Sequence, residues 1–298
     1  MNRSLLAVVL LLVLAVAGGA RAAGGPLDPT FDGDGLVLTN GLGVAEGVAL
    51  QADGKVVVAG TSDYNVALAR YHADGSLDPT FGSGGTVVTD LGQTEEAHDL
   101  AIQPDGKIVV VGNAGAGFGP AADVLVLRYN ADGSLDPSFD GDGIAVHDLG
   151  GGERWFGVAV RADGKIVVGG GRLHTAASGF DRYQFAAGRY NADGTLDTTF
   201  DGDGHAFVDF GDGGSEALDV VLQPDGRMIA AGWSEPDPDG VDEADFALAR
   251  FSLDGSLDAT FDGDGRVLTN ITQHEVIRGV TLQADGKIVA AGATIGYA

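Results

Sequence analysis

A five-residue segment, Leu-Asp-x-Thr/Ser-Phe, recurs at Leu27, Leu77, Leu135, Leu196 and Leu257, and this periodicity constrains the chain more than any other feature. The spacings are 50, 58, 61 and 61 residues. Two further landmarks keep the same beat. Asp-Gly-Lys/Arg followed by an apolar run starts at Asp53, Asp105, Asp163, Asp225 and Asp285, and Arg-Tyr/Phe before an Asp-Gly turn falls at Arg70, Arg128, Arg189 and Arg250. Self-similarity at a fixed period marks an array of supersecondary units that bury their faces against one another.

One unit resolves into four short strands, A to D: residues 36–39, 47–51, 55–59 and 66–71 in the first. Asp-Gly between the apolar runs of B and C is a hairpin signal. Strand C is apolar on both faces, as expected of a strand covered on both sides. Fifty glycines and few aromatics in 298 residues fit many short strands and tight turns. The expected fold is all-β, a β-propeller-like array of five four-stranded repeats, the last lacking its fourth strand. An open β-solenoid is the structural rival.

The repeats cover residues 23–298, which are read as one domain. The fifth unit stops at residues 292–298, where a strand D is due. Three explanations stay open: a fragment of a longer product, an edge covered by another chain, or an open ring.

Residues 1–22 read as a signal peptide, with Arg3 before an apolar run from Leu5 to Ala17 and Ala20-Arg21-Ala22 at the cleavage site. The run is too short to span a bilayer. Localisation is therefore expected to be secreted, periplasmic or cell-surface, with no membrane insertion after cleavage. Loss of Arg3 and Arg21 takes the formal charge from −26 to −28, which argues against nucleic acid as a partner. With no cysteine, stability must come from burial and hydrogen bonds.

The landmarks resemble the delta-60 repeat family of exported bacterial proteins. The match stands at Leu257 to Gly265, Leu282 to Gly292 and Ala247 to Asp258. The resemblance implies a propeller-like fold and a surface or secreted setting, with no catalytic residues to carry over. Unit two departs from it, having Gly82-Ser83-Gly84-Gly85 after its phenylalanine, and Arg161 stands where glutamine is usual.

Asp32/Asp34 and their equivalents Asp140/Asp142, Asp201/Asp203 and Asp262/Asp264 alternate carboxylates with glycine, and so are candidate calcium ligands. Unit two lacks both carboxylates and keeps the rest of its repeat, which favours a turn. No resident cofactor is expected, calcium being the possible one. Lys55, Lys107, Lys165 and Lys287 each follow the Asp-Gly hairpin, and their repetition points to structure. Arg70, Arg128, Arg189 and Arg250 are expected to pair with Asp78, Asp136, Asp197 and Asp258. The six histidines show no zinc spacing and no triad partner.

The stretch from strand C's last glycine to the next Tyr/Phe varies most, from 11 to 20 residues, against 22 to 25 from phenylalanine to the next Asp-Gly. These C–D loops, around 113–122, 171–181 and 233–244, should share one face. The ligand-binding candidates there are Phe180, Arg182, Tyr183, Trp233, Glu235 and Asp237, with Asp239, Asp242 and Glu243 beside them. Exposed aromatics next to acids suit an unidentified carbohydrate or protein. The expected function is a non-catalytic exported scaffold binding through this face; the alternative is a calcium-dependent propeller hydrolase or lactonase. An enzyme would need inward polar residues from non-equivalent repeats, and only loop length breaks the repeat pattern in this reading.

Overall fold

A computed structural model describes residues 27–39, 43–115, 122–175, 179, 181–211, 213–235, 244–271 and 274–294. The expected leader at residues 1–22 lies outside them, as do Phe180 and Asp237. The described residues contain strands and turns and no helix that could cross a membrane.

Four antiparallel four-stranded sheets follow one another. The first holds β1 (Val44–Leu50), β2 (Val56–Ser62), β3 (Asn65–Tyr71) and β4 (Thr86–Thr89); the second β5 (Glu95–Ile102), β6 (Ile108–Gly115), β7 (Ala122–Tyr129) and β8 (Ile144–His147). The third holds β9 (Glu153–Val160), β10 (Ile166–Thr175), β11 (Asp181–Tyr190) and β12 (His205–Val208); the fourth β13 (Ser215–Leu222), β14 (Met228–Ser234), β15 (Asp245–Phe251) and β16 (Arg266–Thr269). β17 (Glu275–Leu282) and β18 (Ile288–Thr294) pair as a two-stranded sheet.

The propeller-like array is thus present, with its units regrouped. Each expected strand A is the fourth strand of the preceding sheet: Thr86–Thr89 pairs with β3 and not with β5. Residues 36–39 accordingly join no ladder, and the last sheet has two described strands. The regrouping has a physical cause. Leu-Asp-x-Thr-Phe is a reversal that folds the chain back on the strand just left, with Asp78 N–H donating to Arg70 C=O and Leu77 bridging Tyr71.

Each sheet packs on the next through its inner strand, β1 on β5, β5 on β9, β9 on β13 and β13 on β17. Middle strands are sandwiched. Ile108 and Val110 of β6 face the core shared with the first sheet, while Val109 and Val111 face the third. This two-sided burial explains the unbroken apolar runs of strand C, at roughly 1.5–3 kcal/mol for each large aliphatic side chain buried. Phe81, Phe139 and Phe200 each fill a core between adjacent sheets. Among the described residues the outer faces of the end sheets are uncovered: Val44, Val48 and Leu50 of β1 are exposed, and so is β18 from Val289 to Thr294.

The expected Arg–Asp pairs form. Nε of Arg70, Arg128 and Arg189 lies 2.8, 2.7 and 2.5 Å from Asp78, Asp136 and Asp197, and Arg250 Nε lies 2.8 Å from Asp258. Each guanidinium also sits over the phenylalanine of the motif, 4.6 to 4.9 Å from its centroid, and donates to the motif hydroxyl. Arg70, Arg128 and Arg189 reach further and donate to Ala131, Ala192 and Leu253 C=O of the following repeat. Lys107 and Lys165 approach the same aspartates at 3.0 and 2.6 Å, which gives the repeated lysines a structural place.

The Asp-Gly-Asp-Gly loops are turns and latches. Asp32, Asp140, Asp201 and Asp262 adopt φ near +50°, the left-handed region that Asp tolerates better than most residues. Asp32, Asp140 and Asp201 donate their N–H to the carbonyls of Asp74, Asp193 and Asp254 at 2.6 to 2.7 Å. The second carboxylates, on Asp34, Asp142, Asp203 and Asp264, each accept the N–H two residues on. Gly82 makes the same latch to Asp132 at 2.8 Å, so unit two keeps the contact without its carboxylates.

Candidate binding cleft

Every inner strand has a bulge at one place, where the register skips Glu46, His98, Phe156, Leu218 or Arg278. A bulge leaves one residue unpaired and re-aims its side chain. Here the extra residues line open clefts on the inner side of the array. Glu46 and His98 border one, with Glu96 and Tyr64; Phe156, Leu218 and Arg278 border another of about 310 Å³, with Glu216, Trp233, Glu235 and His274.

The second cleft brings together two of the ligand-binding candidates expected on the C–D face, Trp233 and Glu235. Trp233 stands directly across from Glu216 in the β13–β14 ladder, so both project to the same side, and Glu235 follows one residue beyond β14. Glu216 is buried, and burial pushes its carboxyl upward while Arg154 opposes the shift. Arg154 of β9 donates from Nη2 to Glu216 Oε1 at 2.7 Å and lies over the Tyr183 ring at 4.0 Å. Burial raises the Tyr183 phenol as well. Phe156 completes the cluster, 5.3 Å from the Arg154 guanidinium and 4.7 Å from the His98 ring. Arg182 is partly buried on β11, its Nη1 donating to Asp181 C=O.

Two glycines make the arrangement possible. A Cβ at Gly171 would stand 2.8 Å from Glu216 Oε1, and one at Gly214 would stand 3.2 Å from the Trp233 ring. A bare Gly171 thus leaves room for Glu216 between the third and fourth sheets, and Gly214 leaves room for the indole within the fourth.

Repetition directs attention to the loops, and the inner strands correct that emphasis. Loop length is not the only break in the pattern. At one ladder position the five repeats carry Val44, Glu96, Arg154, Glu216 and Val276, and at the bulge Glu46, His98, Phe156, Leu218 and Arg278. Two columns without a consensus, inside strands that otherwise repeat, are the signal by which sequence reasoning could have found these residues. None of the Asp-Gly-Asp-Gly carboxylates borders this cleft. Among the described residues the one group of three carboxylates whose oxygens approach within 4.8 Å is Asp123, Asp148 and Glu153, outside those loops.

Comparison with known proteins agrees with the architecture. Residues 51–81, 103–139, 161–200 and 223–261 match a propeller repeat family described as "Domain of unknown function (DUF5122) beta-propeller". No curated protein matches the chain. Solved structures that the chain resembles in part include virginiamycin B lyase from Staphylococcus aureus, 12% identical, with a TM-score of 0.42 over 83% of this chain and 69% of that one. GH43 endo-arabinanase from Bacillus licheniformis is 10% identical, with a TM-score of 0.44 over 85% and 94%. Kuenenia stuttgartiensis hydrazine synthase is 14% identical, with a TM-score of 0.47 over 87% and 37%. Likenesses of this degree carry no argument about this chain.

Proposed function

We propose, from a chain whose repeats match a β-propeller family, that this is an exported scaffold of delta-60 type that binds a carbohydrate in the cleft around Trp233. The observation that carries the reading is the grouping of half-buried Trp233 and Phe156 with Glu235, His274 and Arg278 around one open cleft. A sugar ring presents an apolar face to an indole and hydroxyls to carboxylate and guanidinium, and this wall offers both. The acidic chain and the leader-like residues 1–22 fit a protein working outside the cell.

The test is titration of the mature chain with a panel of neutral and uronic-acid oligosaccharides, read by tryptophan fluorescence. Trp155 is buried, so a ligand-dependent change reports chiefly on Trp233. Binding, measured by calorimetry because Trp233→Ala removes the fluorescent reporter, is expected to weaken at least about tenfold in that variant, as for an aromatic anchor at the centre of a site. No response to any saccharide, or an unchanged affinity in Trp233→Ala, refutes the carbohydrate reading.

A second reading, a propeller hydrolase or lactonase, draws on Arg154 and Glu216 meeting from two adjacent sheets at a position where the repeats have no consensus. It requires turnover of a glycoside or lactone that Glu216→Gln abolishes while binding persists.

A further inference from the structure

The junction of the second and third sheets carries a second cluster, away from the cleft. Asp123 lies at the start of β7, Asp148 follows β8 and Glu153 opens β9, and a carboxylate oxygen from each lies within 4.8 Å of the other two. Glu153 is 1% exposed. Its Oε2 accepts the Leu149 N–H at 3.2 Å, while its Oε1 is buried with no hydrogen-bond partner among the described residues. An orphaned buried carboxylate oxygen among two further acids is costly unless a cation or a proton supplies what the protein omits.

The repeats provide an internal control. Register places Asn65, Asp90 and Glu95 at the corresponding points of the preceding junction, Gln184, Asp209 and Ser215 at the next, and Asp245, Asn270 and Glu275 at the last. Each of these sets contains an amide side chain and at most two carboxylates; Glu95 Oε2 of the first is also buried without a hydrogen-bond partner among the described residues, so what sets the middle junction apart is its third carboxylate. At the last junction that amide acts directly, Asn270 Nδ2 donating to Asp245 Oδ1 at 2.7 Å. The set of three carboxylates has no such donor of its own. Arg172 faces Glu153 across the β9–β10 ladder, yet its guanidinium lies 3.5 Å over Phe207 and donates to Gln184 Oε1 at 3.0 Å.

From this we infer that Asp123, Asp148 and Glu153 form a divalent-cation site, of the hard-oxygen kind that takes calcium, clamping the second sheet to the third. Three carboxylates supply more than enough charge for one such ion, and water completes its coordination shell. The site differs in place and residues from the Asp-Gly-Asp-Gly loops and from the Trp233 cleft. It stands whether or not a saccharide binds.

The experiment is thermal unfolding and calorimetric titration of the mature chain with calcium chloride, repeated on Glu153→Gln, Asp148→Asn and the loop control Asp142→Asn. Wild type and Asp142→Asn are expected to gain about 5 °C at a large excess over Kd. Glu153→Gln is expected to melt higher than wild type without calcium and to lose the calcium gain, because an amide supplies the missing donor and removes the charge. Asp148→Asn keeps the acceptor that caps Gly150 N–H and is expected to bind at least about tenfold more weakly. No response of wild type up to about 10 mM calcium, the weak end of extracellular sites, overturns the proposal. So does a full response in Glu153→Gln, or a response lost only in Asp142→Asn.

Discussion

At the residue scale the repeat is written around arginine. Arg128 joins Asp136 by Nε at 2.7 Å, Ser138 by Nη2, Ala192 C=O of the next repeat by Nη1, and the Phe139 ring by its face. Lysine has neither the planar fork nor the donor count for this, so the position is not interchangeable. Burial opposes the charge on Asp136, but hydrogen bonds from Lys107 and Ser138 and the charge of Arg128 outweigh it and hold the carboxyl well below its usual range. Arg128→Ala leaves Asp136 buried with Lys107 and the Ser138 donors but without its guanidinium, and is expected to cost about 3 kcal/mol, with a smaller loss in Arg128→Lys. Urea unfolding at neutral pH measures both. An effect below about 0.5 kcal/mol in Arg128→Ala would mean that the phenylalanine alone holds the junction.

At the element scale, the inner strands are joined by side chains that alternate from one sheet to the next. Asp99 of β5 accepts the Val158 N–H of β9 at 3.0 Å, and Asp219 of β13 accepts the Val280 N–H of β17 at 2.7 Å. The corresponding positions on β1, β9 and β17 are Gly47, Gly157 and Gly279. Burial pushes the Asp99 carboxyl up to about 7. The folded chain therefore holds a proton there that the unfolded chain has released between about pH 4 and pH 7. This stabilisation is complete below the unfolded value and is lost as pH rises through about 7. Asp99→Asn keeps an acceptor for Val158 and removes the titration. It is expected to be more stable than wild type by about 2 kcal/mol at pH 8.5, with the difference shrinking toward pH 4.5. Denaturant unfolding at the two pH values decides this; a pH-independent difference would assign the effect to packing.

At the scale of the whole molecule, stability is a chain of nearest-neighbour junctions. The second and third sheets have neighbours on both faces, and their middle strands are buried throughout: β6 from Ile108 to Gly115 and β10 from Ile166 to Gly171. β17 and β18 have one neighbour, and β18 is exposed over its last six residues. Amide hydrogen exchange should therefore be slowest in β6, β7 and β10 and fastest in β17 and β18, with β1 also fast on its exposed side. Uniform protection across all five sheets would show a cooperative unit held by more than adjacent contacts.

The all-β repeat, the B–C hairpins, the Arg–Asp pairing and the turn role of the Asp-Gly-Asp-Gly loops were legible in the amino-acid order alone. Each rests on contacts that recur at a fixed short separation, such as the eight residues from Arg128 to Asp136, so every repeat writes them again. Where a unit begins was left to packing, because the fourth strand pairs backward across Leu-Asp-x-Thr-Phe, and a period has no phase of its own. The site was left to packing as well. Arg154 and Glu216 stand 62 residues apart and meet only because adjacent sheets pack inner strand to inner strand, with Gly171 leaving room for the carboxylate. Trp233, Glu235 and Tyr183 were legible as aromatics and acids, but the loops expected to carry them are shorter: Trp233 stands on β14 and Tyr183 on β11, because the C–D hairpins extend their ladders into the variable stretch. The inner-strand residues that join them were not legible, since their meaning lies in the differences between repeats and in a bulge that no local pattern announces.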